Sequence, residues 1–380
     1  MKKLQLLTFA MAAAFISGCN APSQPTMPEA QDKYNSKLEL KTDRDYIAYV
    51  ARDNVLNIVD GKEHKLYKSC PLDGFQAPGG LIISNDTKMG YILQENMQQI
   101  NGYNLNTCEK TFTAPLSYDN VIARSMFSFN ISPDDKRIYT ITSETEKQID
   151  RYKVLDPQFS VFNTADGIGA KPVKKFKAPR QITVMGVDKN DNVYAAGADM
   201  YKINPKTEEI TTATKLRNWT RGNYSPPDSL AMWPIGQQSN EFMTMYTAAK
   251  WKDDKMEGAP DIVWGATRVD LTTGEVEQSD FGPFYNIMFT GMTHPKDSNL
   301  IYGVLTQLNK YDRKAKKLIK GVDLDHTYYC LGFATDGHEL YIGGLNHILI
   351  VDPVTLESKK RLELPYGDLG AGTMQVFRAK

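Results

Sequence analysis

Five histidines and four cysteines among 380 residues leave few places for acid–base, metal or thiol chemistry. Asp325 and His326 are the best acid–base pair, yet neighbours in an extended strand point to opposite sides. His294 lies in the polar turn 294–298, where solvation is expected. A GxSxG elbow, an HExxH pair and a Walker loop are all absent, and Gly167-Ile168-Gly169 lacks the strand–turn–helix setting in which a glycine loop cradles phosphate. No acidic cluster has calcium-ligand spacing. A lactonase-type hydrolase would need inward carboxylates, Asn or His around a central metal, and no such set is evident. No catalytic or metal-binding residue is predicted.

The cysteines point to an envelope protein. Lys2 and Lys3 precede an apolar stretch, 4–16, and Ile16-Ser17-Gly18-Cys19 resembles a bacterial lipobox. Residues 1–18 read as a lipoprotein signal peptide, too short to span a bilayer. Cys19 is the expected lipidation site, and acyl chains anchor by roughly 0.8 kcal/mol per buried methylene. Residues 19–42, rich in Pro, Ser, Gln and charge, read as a flexible tether. The expected location is the periplasm, lipid-anchored to a membrane. Cys70, Cys108 and Cys330 then sit in an oxidising compartment. Three pairings are open, of which Cys70 with Cys108 would link the first two repeats. The absence of CxxC and CxxCH removes the main support for zinc-ribbon, redox-motif and covalent-haem readings.

The elements that must position everything else repeat. The stretch 180–216 shows the unit with little inserted: alternating apolar residues up to Gly186, the turn Lys189-Asn190-Asp191-Asn192, the run 193–196, the run 200–203, the turn Asn204-Pro205-Lys206-Thr207, and a polar tail. Period-2 alternation punctuated by such turns predicts antiparallel strands. The same pattern recurs over 79–116, 126–178, 228–281, 286–324 and 328–364. The third unit is lengthened by a charged stretch, 143–156, expected as an exposed excursion, and the fifth by 250–260. The first unit, 45–72, offers only three strands, and 373–379 is a strand without a unit. These solve each other if the C-terminal strand completes the first sheet and leaves no edge unpaired. The predicted fold is all-β, one seven-bladed propeller over 43–380 with four-stranded antiparallel blades.

Formal net charge is zero, 45 basic against 45 acidic residues, so there is no electrostatic footprint for nucleic acid. Connections between blades should converge on one face, and aromatic residues recur there: 75–79, 118–124, 178–180, 224–228, 284–285, 326–329 and 366–368. Large amphipathic side chains of this kind are enriched at binding surfaces.

Several stretches, in order, carry a wider likeness: FKAPRQITVMGVDKNDNVYAAGADMYKINPKTEEI, YSPPDSLAMW, YTAAK, RVDLTTGEVE and DHTYYCLGFATDGHELYIGG. Over about 45–380 the chain resembles the β subunit of quinohemoprotein amine dehydrogenase. The resemblance implies a periplasmic complex in which this chain holds no cofactor. A small partner subunit would carry cysteine tryptophylquinone, and a dihaem cytochrome c subunit would carry c-type haem. Primary amines would be oxidised there to aldehyde and ammonia, with the propeller helping to wall the substrate cavity. Arg180, Trp233, Tyr246, Tyr328 and Tyr329 match similar family stretches and are the candidate subunit-interface or cavity residues. The lipobox departs from the family pattern. A lipid-anchored scaffold propeller without enzyme activity is the alternative reading.

Overall fold

The computed structural model describes residues 33–51, 54–74, 80–230, 240–365 and 369–380. Residues Tyr34–Lys380 form one compact unit. Seven antiparallel sheets follow one another. Blade 2 comprises Leu81–Ile83, Met89–Gln94, Gln99–Asn104 and Lys110–Pro115, and blade 3 Phe129–Ile131, Arg137–Lys147, Gln158–Asn163 and Lys174–Lys177. Blade 4 comprises Val184–Val187, Val193–Ala196, Met200–Ile203 and Ile210–Thr214, and blade 5 Asp228–Leu230, Glu241–Lys250, Asp261–Asp270 and Val276–Pro283. Blade 6 comprises Met288–His294, Asp297–Leu305, Gln307–Asp312 and Lys317–Asp323, and blade 7 Cys330–Phe333, Leu340–Gly343, His347–Val351 and Ser358–Glu363. No α-helix occurs among the described residues.

Blade 1 is closed by both ends of the chain. Leu369–Arg378 lies innermost, followed outward by Asp45–Ala51, Val55–Asp60 and Lys65–Pro71. Ile47 faces Val376 and Tyr46 faces Phe377 in that pairing. The C-terminal strand also meets the inner strands of blades 7 and 2, so it sits in the ring like any other first strand.

The core lies between blades, because each sheet is apolar on both faces and buries them against its two neighbours. Six buried clusters follow one another around the ring; one joins Tyr46, Leu56, Tyr103 and Phe377 of blades 1 and 2, another Tyr302, Leu340 and Ile342 of blades 6 and 7. One aromatic residue marks the same place on the second strand of every blade: Tyr46, Tyr91, Tyr139, Tyr194, Phe242, Tyr302 and Tyr341, all buried. Several hydroxyls donate to a turn of the next blade. Tyr139 reaches Asp191 Oδ1 at 2.7 Å, Tyr194 reaches the Gly274 carbonyl at 3.0 Å and Tyr302 the Pro353 carbonyl at 2.8 Å. The outer turns are held as their Asx residues predict. Asn104 Oδ1 accepts from the amides of Asn106 and Thr107, and Asn204 does the same for Lys206 and Thr207.

Two expectations change. The tether is not loose up to residue 42: the Tyr34 carbonyl accepts the Ser69 amide at 2.8 Å, and Asn106 Oδ1 accepts the Leu40 amide at 2.9 Å. Buried Lys68 adds three bonds from Nζ, to the carbonyls of Leu38, Leu105 and Asn106. Three carbonyl partners offset the burial of that ammonium. The stretch 143–156 is not a simple excursion either. Arg137–Lys147 runs on past the blade, and its end pairs with Val121–Arg124 on one side and Tyr152–Val154 on the other, satisfying backbone groups that a loop would leave to water. Cys70 and Cys108 form a disulfide between the outer strand of blade 1 and the outer turn of blade 2, with S–S 1.99 Å. Cys330 is buried and stays outside that bond. Cys19 and the signal stretch lie outside the described residues, and among those described no helix is long and apolar enough to cross a membrane.

Candidate functional site

The segments leading from an outer strand to the next inner strand share one face with the loops between second and third strands, because every strand reverses direction. On this connector face stand most of the large apolar side chains exposed among the described residues, including Tyr118, Met256, Tyr285, Ile287, Tyr329 and Leu345. Below them, in blades 3, 5 and 7, lie three clusters in which a carboxylate, a tyrosine hydroxyl and a cationic or imidazole group meet.

In blade 5 the carboxylate is Asp280, 7% exposed, on the outer strand. Tyr224, from the connector, donates to its Oδ2 at 2.5 Å; Tyr246, from the second strand, donates to Oδ1 at 3.0 Å. Lys250 Nζ lies 3.2 Å from Oδ2 and Arg221 Nη1 3.6 Å from Oδ1. The Arg221 guanidinium also lies 4.1 Å from the Trp219 ring centroid, a cation–π contact. Burial alone would raise the Asp280 carboxyl, but the bonds from Tyr224, Lys250 and Tyr246 outweigh it and hold it below the usual carboxylate range. Burial pushes the Tyr246 hydroxyl well above the ordinary phenol value.

In blade 7 Tyr328 is buried, with its hydroxyl 2.6 Å from Asp325 Oδ1 and 2.7 Å from His347 Nε2. A phenol has one proton. If it goes to the carboxylate, His347 must carry its proton on Nε2 and donate it to the phenol oxygen. Arg361 Nη1 donates to the other oxygen of Asp325 at 2.7 Å. His326 stacks on Tyr328 with ring centroids 4.4 Å apart, and its Nδ1 lies 3.1 Å from Asp325 Oδ1. Asp325 and His326 therefore do not point apart, because this connector bends instead of running as a strand. In blade 3 Glu144, Tyr118 and Lys175 form the corresponding group, with Tyr118 donating to Oε2 at 2.9 Å and Lys175 Nζ 2.7 Å from Oε1.

The five candidate residues are not gathered into one site. Arg180 is exposed in the connector between blades 3 and 4, where Nη2 donates to the Leu155 carbonyl at 3.2 Å and meets Asp156 at 3.3 Å. Tyr246 and Tyr328 are buried in separate clusters, and Tyr329 is 39% exposed, edge-on to Phe289. Trp233 lies outside the described residues, as do 75–79 and 366–368. The partners Asp280, Arg221, Glu144 and His347 were not recognised from sequence. Their common signal is a charged residue facing a tyrosine near a blade junction, which becomes visible only once strand registers are known.

On the opposite face a cavity of about 450 Å³ is bounded by residues of blades 5, 6, 7 and 1. Glu241, Arg268, Asp270, His294 and Lys296 contribute its polar wall. His294 is not a solvated turn residue. Its Nε2 is 3.0 Å from the Gly337 carbonyl, and its ring packs edge-on against Phe333 at 5.1 Å. No group of three or more His, Cys, Asp or Glu side chains is placed to hold a metal ion among the described residues.

No protein-family model matches the chain, and no curated protein matches it. Solved structures do. Hydrazine synthase of Kuenenia stuttgartiensis superposes with a TM-score of 0.54 at 9% identity, covering 84% of this chain and 98% of that one. Dihydro-heme d1 dehydrogenase NirN, solved in complex with DHE, gives 0.52 at 10% identity, covering 93% and 79%. Apo AztD of Citrobacter koseri gives 0.51 at 11% identity, covering 88% and 97%. What this chain shares with all three is the seven-bladed propeller.

Proposed function

We propose that this chain is the cofactor-free propeller subunit of a periplasmic quinohemoprotein amine dehydrogenase complex, tethered to a membrane through Cys19. Its connector face would dock a small subunit carrying cysteine tryptophylquinone and a dihaem cytochrome c subunit. There it would help to wall the cavity in which primary amines become aldehyde and ammonia. One observation carries the docking role: exposed apolar residues collect on the connector face, with Tyr285 65%, Ile287 53% and Leu345 59% exposed. Apolar patches of this kind mark association surfaces. Interlocked clusters such as Tyr224, Tyr246 and Asp280 hold the face rigid beneath them, which lowers the entropy lost on docking. The identity of the partners rests on the ordered resemblance along 45–380.

Purification of the tagged chain from its native envelope tests this reading. Copurified polypeptides with covalent haem and a quinone absorbance are the expected result. The double substitution Tyr285→Glu and Tyr329→Glu should abolish their recovery without changing the melting temperature of the isolated chain. A cofactor-free monomer that never recruits such partners overturns the proposal, and recruitment of other envelope proteins points to the anchored scaffold.

A further inference from the structure

A cavity of about 410 Å³ opens between blades 2 and 3. Pro115 and Leu116 form one wall, and Phe162, Ala170 and Pro172 the other. Leu116, Phe162 and Ala170 are buried, so the walls are part of the packed framework and not a loose surface dent. The volume and the apolar lining match small-molecule sites, in which a few convergent polar groups fix orientation. Here the polar groups converge at one end. The Glu144 side chain is only 3% exposed and meets Lys175 Nζ at 2.7 Å. It also accepts from Tyr118 at 2.9 Å and from Thr142 Oγ1 at 3.2 Å. Lys175 lies 4.1 Å from the Tyr118 ring centroid, and its side chain is 29% exposed. Burial works to lower its basicity, but the bonds with Glu144 and Tyr118 outweigh this and hold the ammonium above the usual lysine range.

The charges decide the ligand class. Lys175 offsets the buried carboxylate, and an ammonium engaged by Glu144 and Tyr118 still has one donor left. Lys171, exposed on the same rim, forms no ion pair among the described residues. The rim thus carries uncompensated positive charge. A ligand ammonium would be repelled by the unpaired Lys171, whereas a carboxylate would gain a charge-assisted bond from Lys171 and one from the remaining donor of Lys175, a side chain already ordered. We propose that this cavity binds a small apolar carboxylate, with its body against Leu116, Phe162, Ala170 and Pro172 and its carboxylate on Lys175 and Lys171. The proposal does not rest on the subunit reading, although Tyr118 belongs both to this lining and to the connector face.

Titration calorimetry on the full mature chain tests it with three probes of equal length: octanoate, 1-octanol and octylamine. Octanoate should saturate one site per chain, with 1-octanol at least about tenfold weaker and octylamine not bound. Pro172→Trp, which fills the mouth, should abolish binding, and Lys171→Glu should weaken octanoate by about tenfold or more. Both positions are exposed, so unchanged melting temperatures show that the fold persists. Octylamine binding as tightly as octanoate, no octanoate binding, or octanoate binding indifferent to both substitutions overturns the proposal.

Discussion

Asp325 sits where three partners converge, and its acidity shows it. The hydrogen bond from the Tyr328 hydroxyl does most to hold its pKa down to about 2; burial opposes this and Arg361 adds to it. A carboxyl depressed in the folded state contributes stability that is complete above its unfolded value of about 3.9 and is lost as pH falls through the folded value. Urea denaturation at pH 5, 4 and 3 should therefore show Asp325→Asn losing less stability on acidification than the wild type. Parallel pH profiles would remove this account of the cluster. His347 is held below the ordinary imidazole value, first by burial and then by the charge of Arg361. Its neutral form contributes stability above about pH 6.5, which is lost as pH falls through the lower folded value. An NMR titration should place its midpoint below 6.5, and a midpoint above that would contradict the buried geometry. Gly265 makes a different demand. A Cβ there would stand 2.0 Å from Tyr246 Cζ, so only glycine lets this ring lie flat across the neighbouring strand. Gly265→Ala should cost about 1–3 kcal/mol by urea denaturation, and a neutral result would mean that Tyr246 can move aside.

At the scale of elements, the junction of blades 1 and 2 is tied by three devices: the Cys70–Cys108 disulfide, the Lys68 bonds and the docked 34–40 segment. The disulfide closes a separation of 38 residues, for which the chain-entropy estimate is about 4 kcal/mol. Reduction should lower the unfolding free energy by about 2–4 kcal/mol in urea melts, while an unchanged midpoint would mean that the thiols are not paired in solution. Much of this element structure was legible. The turn Asn204-Pro205-Lys206-Thr207 marked an outer turn, and Asn104 marked its counterpart, because an Asx side chain organises its own neighbours regardless of tertiary context. A further readable signal is an aromatic at a fixed place on the second strand, Tyr139, Tyr194, Tyr302 and Tyr341 among others, which marks the blade count directly. The docked end of the tether was not legible, since its few apolar residues give no sign that Lys68 and Asn106 await its carbonyls and amides.

For the whole molecule, stability depends on ring closure by Leu369–Arg378. Truncation after residue 365 would strip the inner strand from blade 1, expose the edge of Asp45–Ala51, and uncover the inner strands of blades 7 and 2. The truncated chain should lose its cooperative thermal transition and aggregate in size-exclusion chromatography. A monomer with a native-like transition would show that six intact blades suffice. What the sequence by itself determined is the all-β class, seven units and the terminal closure, because strand alternation and turn chemistry are local and can be counted along the chain. What only the tertiary structure decided is which side chains meet. Tyr118 and Glu144 are 26 residues apart and Tyr224 and Asp280 are 56 apart. Such meetings are fixed by strand register and by the packing of one blade on the next, and no local spacing encodes them.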